Sequence, residues 1–157
     1  MKFSKIKNFI LDFIFPIRCP GCGIILESKK DKEIKLICQN CLDSIEINSG
    51  FFCPVCLKRL PTEKICHPGS YPLAAATSYN DIVIKNALWY FKYQAVKGLK
   101  KELGSLMINY LKTLDIKNFE SYILVPMPLH PKKQRQRGFN QANLLAEVIA
   151  EIFPLPI

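Results

Sequence analysis

The chain has 157 residues, 49% of them apolar, and a formal net charge of +9. That length allows one ordinary domain or a small domain plus part of a second, and the apolar share excludes wholesale disorder. No run of 18 apolar residues occurs, so no membrane-spanning helix is implied, and the basic balance suits a phosphate-bearing partner such as a nucleotide, a sugar phosphate or nucleic acid.

Residues 1–17 come first. Phe3, Ile6, Ile10, Phe13 and Ile14 recur at helical spacing, and Pro16 ends the pattern. This reads as a short amphipathic helix packed on the domain, with a membrane-surface role as the alternative. A signal peptide, which it resembles at a glance, is not expected: the lysines are scattered, Asp12 interrupts the apolar run, and no small-residue cleavage site follows.

Residues 18–69 hold all seven cysteines. Close pairs, an odd count and no visible export signal favour metal thiolates in a reducing cytoplasm over disulfides. Cys19-Pro-Gly-Cys22 and Cys38-Gln-Asn-Cys41 are each C-x2-C, with fifteen residues between the pairs. Two intervening residues let a tight turn aim both sulfurs at one ion, and its N–H groups can offset the thiolate charge. Ile24–Leu26 and Ile34–Ile37 supply enough apolar chain for a small hairpin, so the pattern matches a zinc ribbon. Four protein thiolates leave no open coordination position, which makes the site structural. Buried or redox-active cysteines are the competing reading, but a redox site needs only one pair.

A second set follows, Cys53-Pro-Val-Cys56 and then Cys66-His67. A matching C-x2-C would need a cysteine where Gly69 stands. His67 could be the fourth ligand, although adjacent residues point in different directions. The alternative is a degenerate ribbon that keeps its fold by packing.

Residues 70–157 read as alternating strands and helices. Leu73 to Tyr79 is a predicted strand. Asn80 or Asp81 caps a helix to about Tyr93, with Ile84, Leu88 and Phe91 inward. Gly98 breaks the chain. Leu99, Leu103, Leu106, Met107, Tyr110 and Leu114 mark a second helix. Tyr122 to Val125 is a predicted buried strand ended by Pro126 and Pro128. A basic loop follows, and Asn140 or Asn143 starts a last helix through Ile152, stopped by Pro154. This order begins an α/β unit, whose usual form is a helix-covered parallel sheet. With one or two strands visible, the chain looks unfinished at Ile157.

The basic loop carries Lys132, Lys133, Arg135 and Arg137 between a strand and a helix, where N–H groups and the helix dipole favour an anion. Arg137 could grip phosphate in bidentate fashion, and Gly138 lets the backbone approach. A solvated basic loop is the plainer alternative.

The cysteine pairs, the linking Phe91-Lys92-Tyr93 and the run VPMPLHPKKQRQRGFNQA closely resemble the ComF family of predicted phosphoribosyltransferases, over essentially the whole chain. The resemblance implies an N-terminal zinc ribbon, often double, before a type I phosphoribosyltransferase domain, and in some members a tie to natural competence, the uptake of single-stranded DNA. It carries metal-ligand roles onto Cys19, Cys22, Cys38, Cys41, Cys53 and Cys56, and Cys66 joins them as the next cysteine. It makes Arg137, Gly138, Asn140 and Gln141 phosphate-site residues, with His130, Lys132, Lys133 and Arg135 as weaker ones. No catalytic acid or base is implied, because ribosyl transfer depends mainly on stabilising departing pyrophosphate, often with magnesium.

Two departures stand out. The last cysteine of the second ribbon is missing, and so are the family's paired acids and Thr-Thr-Gly loop, which grip the ribose and its 5-phosphate. Expected magnesium and phosphoribosyl pyrophosphate binding therefore depends on further chain. As given, the chain is expected to be inactive as a transferase. A zinc-ribbon adaptor contacting single-stranded DNA or a competence helicase is the rival reading.

Overall fold

The structure, a computed structural model, describes residues 16–26, 35–60, 64–114, 116 and 119–157. The expected starting helix lies outside them apart from its last two residues, and so does most of the expected hairpin between the first two cysteine pairs.

Among the described residues the elements in chain order are α1 (Gln39–Asp43), β1 (Phe51–Phe52), β2 (Arg59–Leu60), α2 (Ile82–Tyr93), α3 (Lys100–Thr113), α4 (Pro131–Arg137) and α5 (Gln141–Ile152). Short 3-10 turns at Lys97–Leu99 and Phe119–Ser121 lead into α3 and follow it. The result is a mixture of helices and one small sheet, in which β1 and β2 pair antiparallel, Phe51 opposite Leu60.

Local signals explain the helix starts. The Asp81 carboxylate accepts from the N–H groups of Val83 and Ile84, satisfying two donors that α2 leaves open. Asn140 does the same for α5 through Ala142 N–H. The chain enters α3 through the 3-10 turn, so Gly98 marks a change of helix type without interrupting the coil. Its tight spot is Leu36, whose Cδ1 lies 2.7 Å from where a Cβ on residue 98 would stand.

The apolar stripes bury as helical periodicity requires. Val83, Ile84, Ala87 and Phe91 of α2 meet Leu99, Leu103, Leu106 and Phe139 in the largest cluster. Cys19, Ile37 and Ile45 belong to the same cluster, so the first cysteine region and the helices share one core. A second cluster packs Phe51 against Tyr110 and Leu114, and the Tyr110 hydroxyl donates to the Gly50 carbonyl. A third joins Ile108 to Val148 and Ile149, where α3 and α5 pack closely. Gly104 makes that approach feasible, since a Cβ there would meet Val148 Cγ1 at 2.5 Å.

Three predicted elements differ. Leu73–Tyr79 makes one bridge, Leu73 to Phe52, while Asn48 hydrogen-bonds to the carbonyls of Ala75 and Ala76. The segment lies along the second ribbon and forms no strand of an α/β sheet. Tyr122–Val125 is extended but belongs to no ladder among the described residues; Leu124 N–H donates to Pro156 O at 2.9 Å. It is not buried either, with Val125 82% exposed. No parallel sheet occurs among the described residues, so the physical requirement that would bury this apolar run, a neighbour on each side, is unmet there.

The third difference is the basic segment, which is helix and not loop. Pro131 sits at the first helical position, where its missing N–H costs nothing, and the His130 Nδ1 accepts from Lys132 N–H at 3.2 Å. Lys, Gln and Arg propagate a helix well, and Gly138 ends it in the left-handed conformation, φ +75°.

Candidate functional site

The two cysteine regions build two compact donor sets. Cys19, Cys22, Cys38 and Cys41 place their sulfurs within 4.8 Å of one another, and so do the ligand atoms of Cys53, Cys56, Cys66 and His67. All seven cysteines of the chain are thus gathered at one or other centre, as free thiols.

The same local frame produces both first halves. In the first, Gly23 N–H donates to Cys19 O and Cys19 N–H to Ile24 O, each at 2.9 Å. In the second, Leu57 N–H donates to Cys53 O at 2.8 Å and Cys53 N–H to Lys58 O at 2.9 Å. Each frame needs a left-handed residue after its second cysteine. Glycine supplies it in one (Gly23, φ +74°), but leucine must adopt it in the other (Leu57, φ +57°). A leucine in that region costs about 1–2 kcal/mol, and the second ribbon nevertheless keeps the turn.

Distances test whether zinc fits. Tetrahedral bonds near 2.3 Å put paired sulfurs about 3.8 Å apart, and a sulfur and an imidazole nitrogen about 3.5 Å apart. Cys22 and Cys38 sulfurs are 3.6 Å apart, Cys56 and Cys66 sulfurs 3.8 Å, and Cys53 Sγ lies 3.3 Å from His67 Nδ1. Both donor sets therefore have the size of a closed tetrahedral site, which supports structural zinc.

The adjacency of Cys66 and His67 proves compatible with one centre. His67-Pro68-Gly69-Ser70 forms a tight turn with Gly69 at φ +73°, closed by Ser70 N–H to His67 O at 3.0 Å. The Ser70 hydroxyl also donates to His67 O at 2.7 Å. That turn places the imidazole back on Cys53, so Gly69 shapes the turn where a cysteine was expected.

Electrostatics point the same way. Burial opposes the Cys19 thiolate, but N–H groups of Cys38, Cys22 and Gly21 outweigh it and lower the pKa from 9.0 to about 6. Cys53 is lowered to about 6 by the N–H groups of Cys56 and Val55 and by the His67 ring. Burial pushes Cys41 up to about 12, with its sulfur neighbours adding to the rise. Clustered thiols without a cation retain protons because neighbouring thiolates repel; a dication reverses that balance.

The first centre is held from outside as well. Asn86 Nδ2 donates to Pro20 O at 2.9 Å, fixing the Cys19–Cys22 turn to α2. Leu36 N–H donates to Glu102 Oε1 at 2.6 Å, fixing the Cys38 side to α3.

A second kind of site lies where the C-terminal end of α2 meets α4. Lys92, Tyr93, Ala95, Lys133, Gln136 and Arg137 line a cavity of about 260 Å³. The Arg137 guanidinium rests over the Tyr93 ring, 5.2 Å from its centre. No carboxylate of the described residues lines this cavity. Among the described residues none stands within salt-bridge distance of Lys92, Lys133 or Arg137.

The expected phosphate residues are thereby divided. Lys133 and Arg137, one helical turn apart, share the cavity, and Lys92 joins them from α2. Lys132 and Arg135 are exposed on α4 but do not line it. Gly138 ends α4. Asn140 spends both amide atoms on the fold, capping α5 and donating to Met127 O at 3.1 Å. Gln141 Oε1 is buried without a hydrogen-bond partner among the described residues. His130 is occupied as the cap of α4. Sequence reasoning did not group Lys92 with the expected phosphate residues. Its place in Phe91-Lys92-Tyr93 was visible, but its nearness to Arg137 was not.

Residues 10–68 match a family model described as a double zinc ribbon domain. Over 129 residues the chain is 29% identical to Competence protein ComFC of Bacillus subtilis (strain 168), covering 72% of this chain and 51% of that protein. The chain thus spans about half the length of the curated relative it matches. No solved structure matches. The chain is thus similar to double zinc ribbon domains over residues 10–68 and to this competence protein over most of its own length.

Proposed function

We propose that this chain is a ComF-like, competence-related protein in which two structural zinc centres brace a phosphate-binding region of phosphoribosyltransferase type. The observation that carries the ligand class is the cavity between α2 and α4, where Lys92, Lys133 and Arg137 face one space that no carboxylate of the described residues lines. Three cations around a small cavity, with no carboxylate of the described residues among its lining, favour a multiply charged anion. A phosphoribosyl pyrophosphate-like ligand, with magnesium, fits that charge, and Arg135, Lys132, Gly138, Asn140 and Gln141 contribute field or shape around it.

In this reading residues 18–69 are the double ribbon and residues 70–157 the first part of a phosphoribosyltransferase-like α/β domain, with residues 1–17 as a leading amphipathic helix. In the extended Tyr122–Val125 segment Tyr122, Ile123 and Val125 are exposed, which supports a place for it in a larger sheet. The chain's own cations would hold the pyrophosphate and offset its growing charge, while magnesium, when bound, would neutralise the rest. No acid or base in the chain is assigned. Among the described residues no helix is long and apolar enough to cross a membrane. Thiols committed to metal in place of disulfides fit a reducing cytoplasm.

Calorimetric titration of the zinc-loaded chain with inorganic pyrophosphate, and separately with magnesium phosphoribosyl pyrophosphate, tests the reading. Binding is expected in both. Replacing Arg137 by Gln or Lys133 by Gln should weaken it about tenfold or more, the worth of a hydrogen bond to a charged group. No heat with either ligand at millimolar concentration would remove the phosphate-site assignment.

A further inference from the structure

The two donor sets differ in what surrounds them. In the first, Cys19 lies in the main core, Cys38 and Cys41 pack against it, and Cys22 is the exposed member. Asn86 and Glu102 tie the chain beside these cysteines to α2 and α3 through Pro20 O and Leu36 N–H. In the second, Cys53 is buried but Cys56 and Cys66 are both exposed. No cysteine of the second set belongs to a core cluster among the described residues. The chain beside them is open as well, with Val55 65%, Leu57 71% and Ile65 63% exposed. The frame around Cys56 also carries the left-handed Leu57, and β1 and β2 behind it supply two residues each.

Exposure of both members of a sulfur pair has a chemical consequence. A thiolate is the nucleophile as well as the metal ligand, and its oxidation follows its access to solvent and the nearness of a second thiolate that can resolve it. The Cys56 and Cys66 sulfurs are 3.8 Å apart and must close to about 2.05 Å to bond. That displacement falls on two open turns. In the first centre the Cys22 and Cys38 sulfurs are as near, 3.6 Å, so spacing does not separate the two pairs. Anchoring does: Cys38 starts α1 and packs on the main core, so moving its sulfur strains both.

We propose that Cys56 and Cys66 form an oxidation site, at which hydrogen peroxide makes a disulfide and the second centre gives up its zinc while the first keeps its own. One thiolate attacks a peroxide oxygen; the O–O bond breaks, a sulfenic acid forms and hydroxide leaves. The other thiolate attacks the sulfenic sulfur; the S–S bond forms and a second hydroxide leaves. The two sulfurs lose two electrons, the peroxide gains them, and two protons from solvent turn both hydroxides into water. Cys53 and His67 are left, half of a tetrahedral donor set. The proposal rests on the zinc reading of the second centre and adds to it a reaction with oxidant.

The test is stepwise addition of hydrogen peroxide to the zinc-loaded chain. A chromogenic chelator reads released zinc, and peptide mass spectrometry maps disulfides after free thiols are alkylated in denaturant. Elemental analysis before peroxide should give two zinc ions per chain. The first zinc released should appear together with a Cys56–Cys66 disulfide, while Cys19, Cys22, Cys38 and Cys41 are recovered as alkylated thiols. Dithiothreitol with added zinc should restore the starting state.

A chain holding only one zinc at the outset would remove the second centre and this proposal with it. Two zinc ions at the outset, followed by a Cys22–Cys38 disulfide first, by release of both ions together, or by oxidation without release, would overturn the proposal and leave both metal centres standing. So would recovery of Cys56 or Cys66 mainly as a sulfinic acid or in a bond between two chains.

Discussion

Replacing Gly21 by Ala should damage the first metal centre without touching the second. A Cβ on residue 21 would stand 2.7 Å from Cys41 Sγ, 3.0 Å from Val83 Cγ2 and 3.2 Å from Cys41 Cβ. The shortest of these falls 0.7 Å inside an ordinary contact of 3.4 Å. Neither neighbour can give way cheaply. Cys41 Sγ is a donor in a set where metal–ligand distances tolerate only about 0.2 Å, and Val83 is buried in the main core. Overpacking of this kind costs about 1–3 kcal/mol, which for a chain of this size lowers the melting temperature by about 2–12 °C. Zinc should also leave the first centre faster in a chelator-competition assay, while the second releases its zinc at the wild-type rate. Gly23→Ala is the informative control. No heavy atom lies within 4 Å of its Cβ, but φ is +74°, so it should lose about 1 kcal/mol through backbone strain alone. A Gly21→Ala protein with unchanged melting and unchanged zinc release would refute the packing of Gly21 between Cys41 and Val83.

His67→Ala should lower zinc content from two ions per chain to one by elemental analysis; retention of both would remove His67 from the ligand set. Leu57→Gly should raise stability by about 1 kcal/mol in chemical denaturation, since glycine accepts φ +57° freely, and any loss would mean that the leucine side chain matters more than its strain. The pH dependence follows from the thiols of Cys19 and Cys53, lowered from 9.0 to about 6 in metal-free protein. A folded-state pKa below the unfolded value stabilises most above pH 9, and that contribution disappears as pH falls through about 6. Metal-free protein should therefore weaken between pH 9 and 6, and zinc affinity should fall with acidification as ligands must shed more protons. Zinc retention independent of pH from 8 to 5 would contradict thiolate ligation.

The first donor set was legible because each half of it is local. Two residues between cysteines fix how a turn aims both sulfurs, and that geometry needs nothing distant. Helix starts at Asp81 and Asn140 were legible for the same reason: a side chain caps N–H groups two or three residues ahead. The signals for α4 were also local, a proline at its first position and a glycine beyond its end, but a dense basic run beside two prolines reads equally well as a loop. Strands are different. Tyr122–Val125 has the composition of a buried strand, yet a strand is defined by its neighbours, and its sequence does not contain them.

Tertiary structure alone decided where distant pieces meet. His67 joined the second donor set because the Pro68-Gly69 turn swings its ring onto Cys53, fourteen residues away in the chain. Lys92 shares a cavity with Arg137 because α2 and α4 meet there, and Gly21 has no room for a Cβ because Cys41 and Val83 close in on it. Sequence determines what a residue can do within about one turn of backbone. Packing of buried apolar faces determines which side chains share a space, because that is settled by the whole core at once.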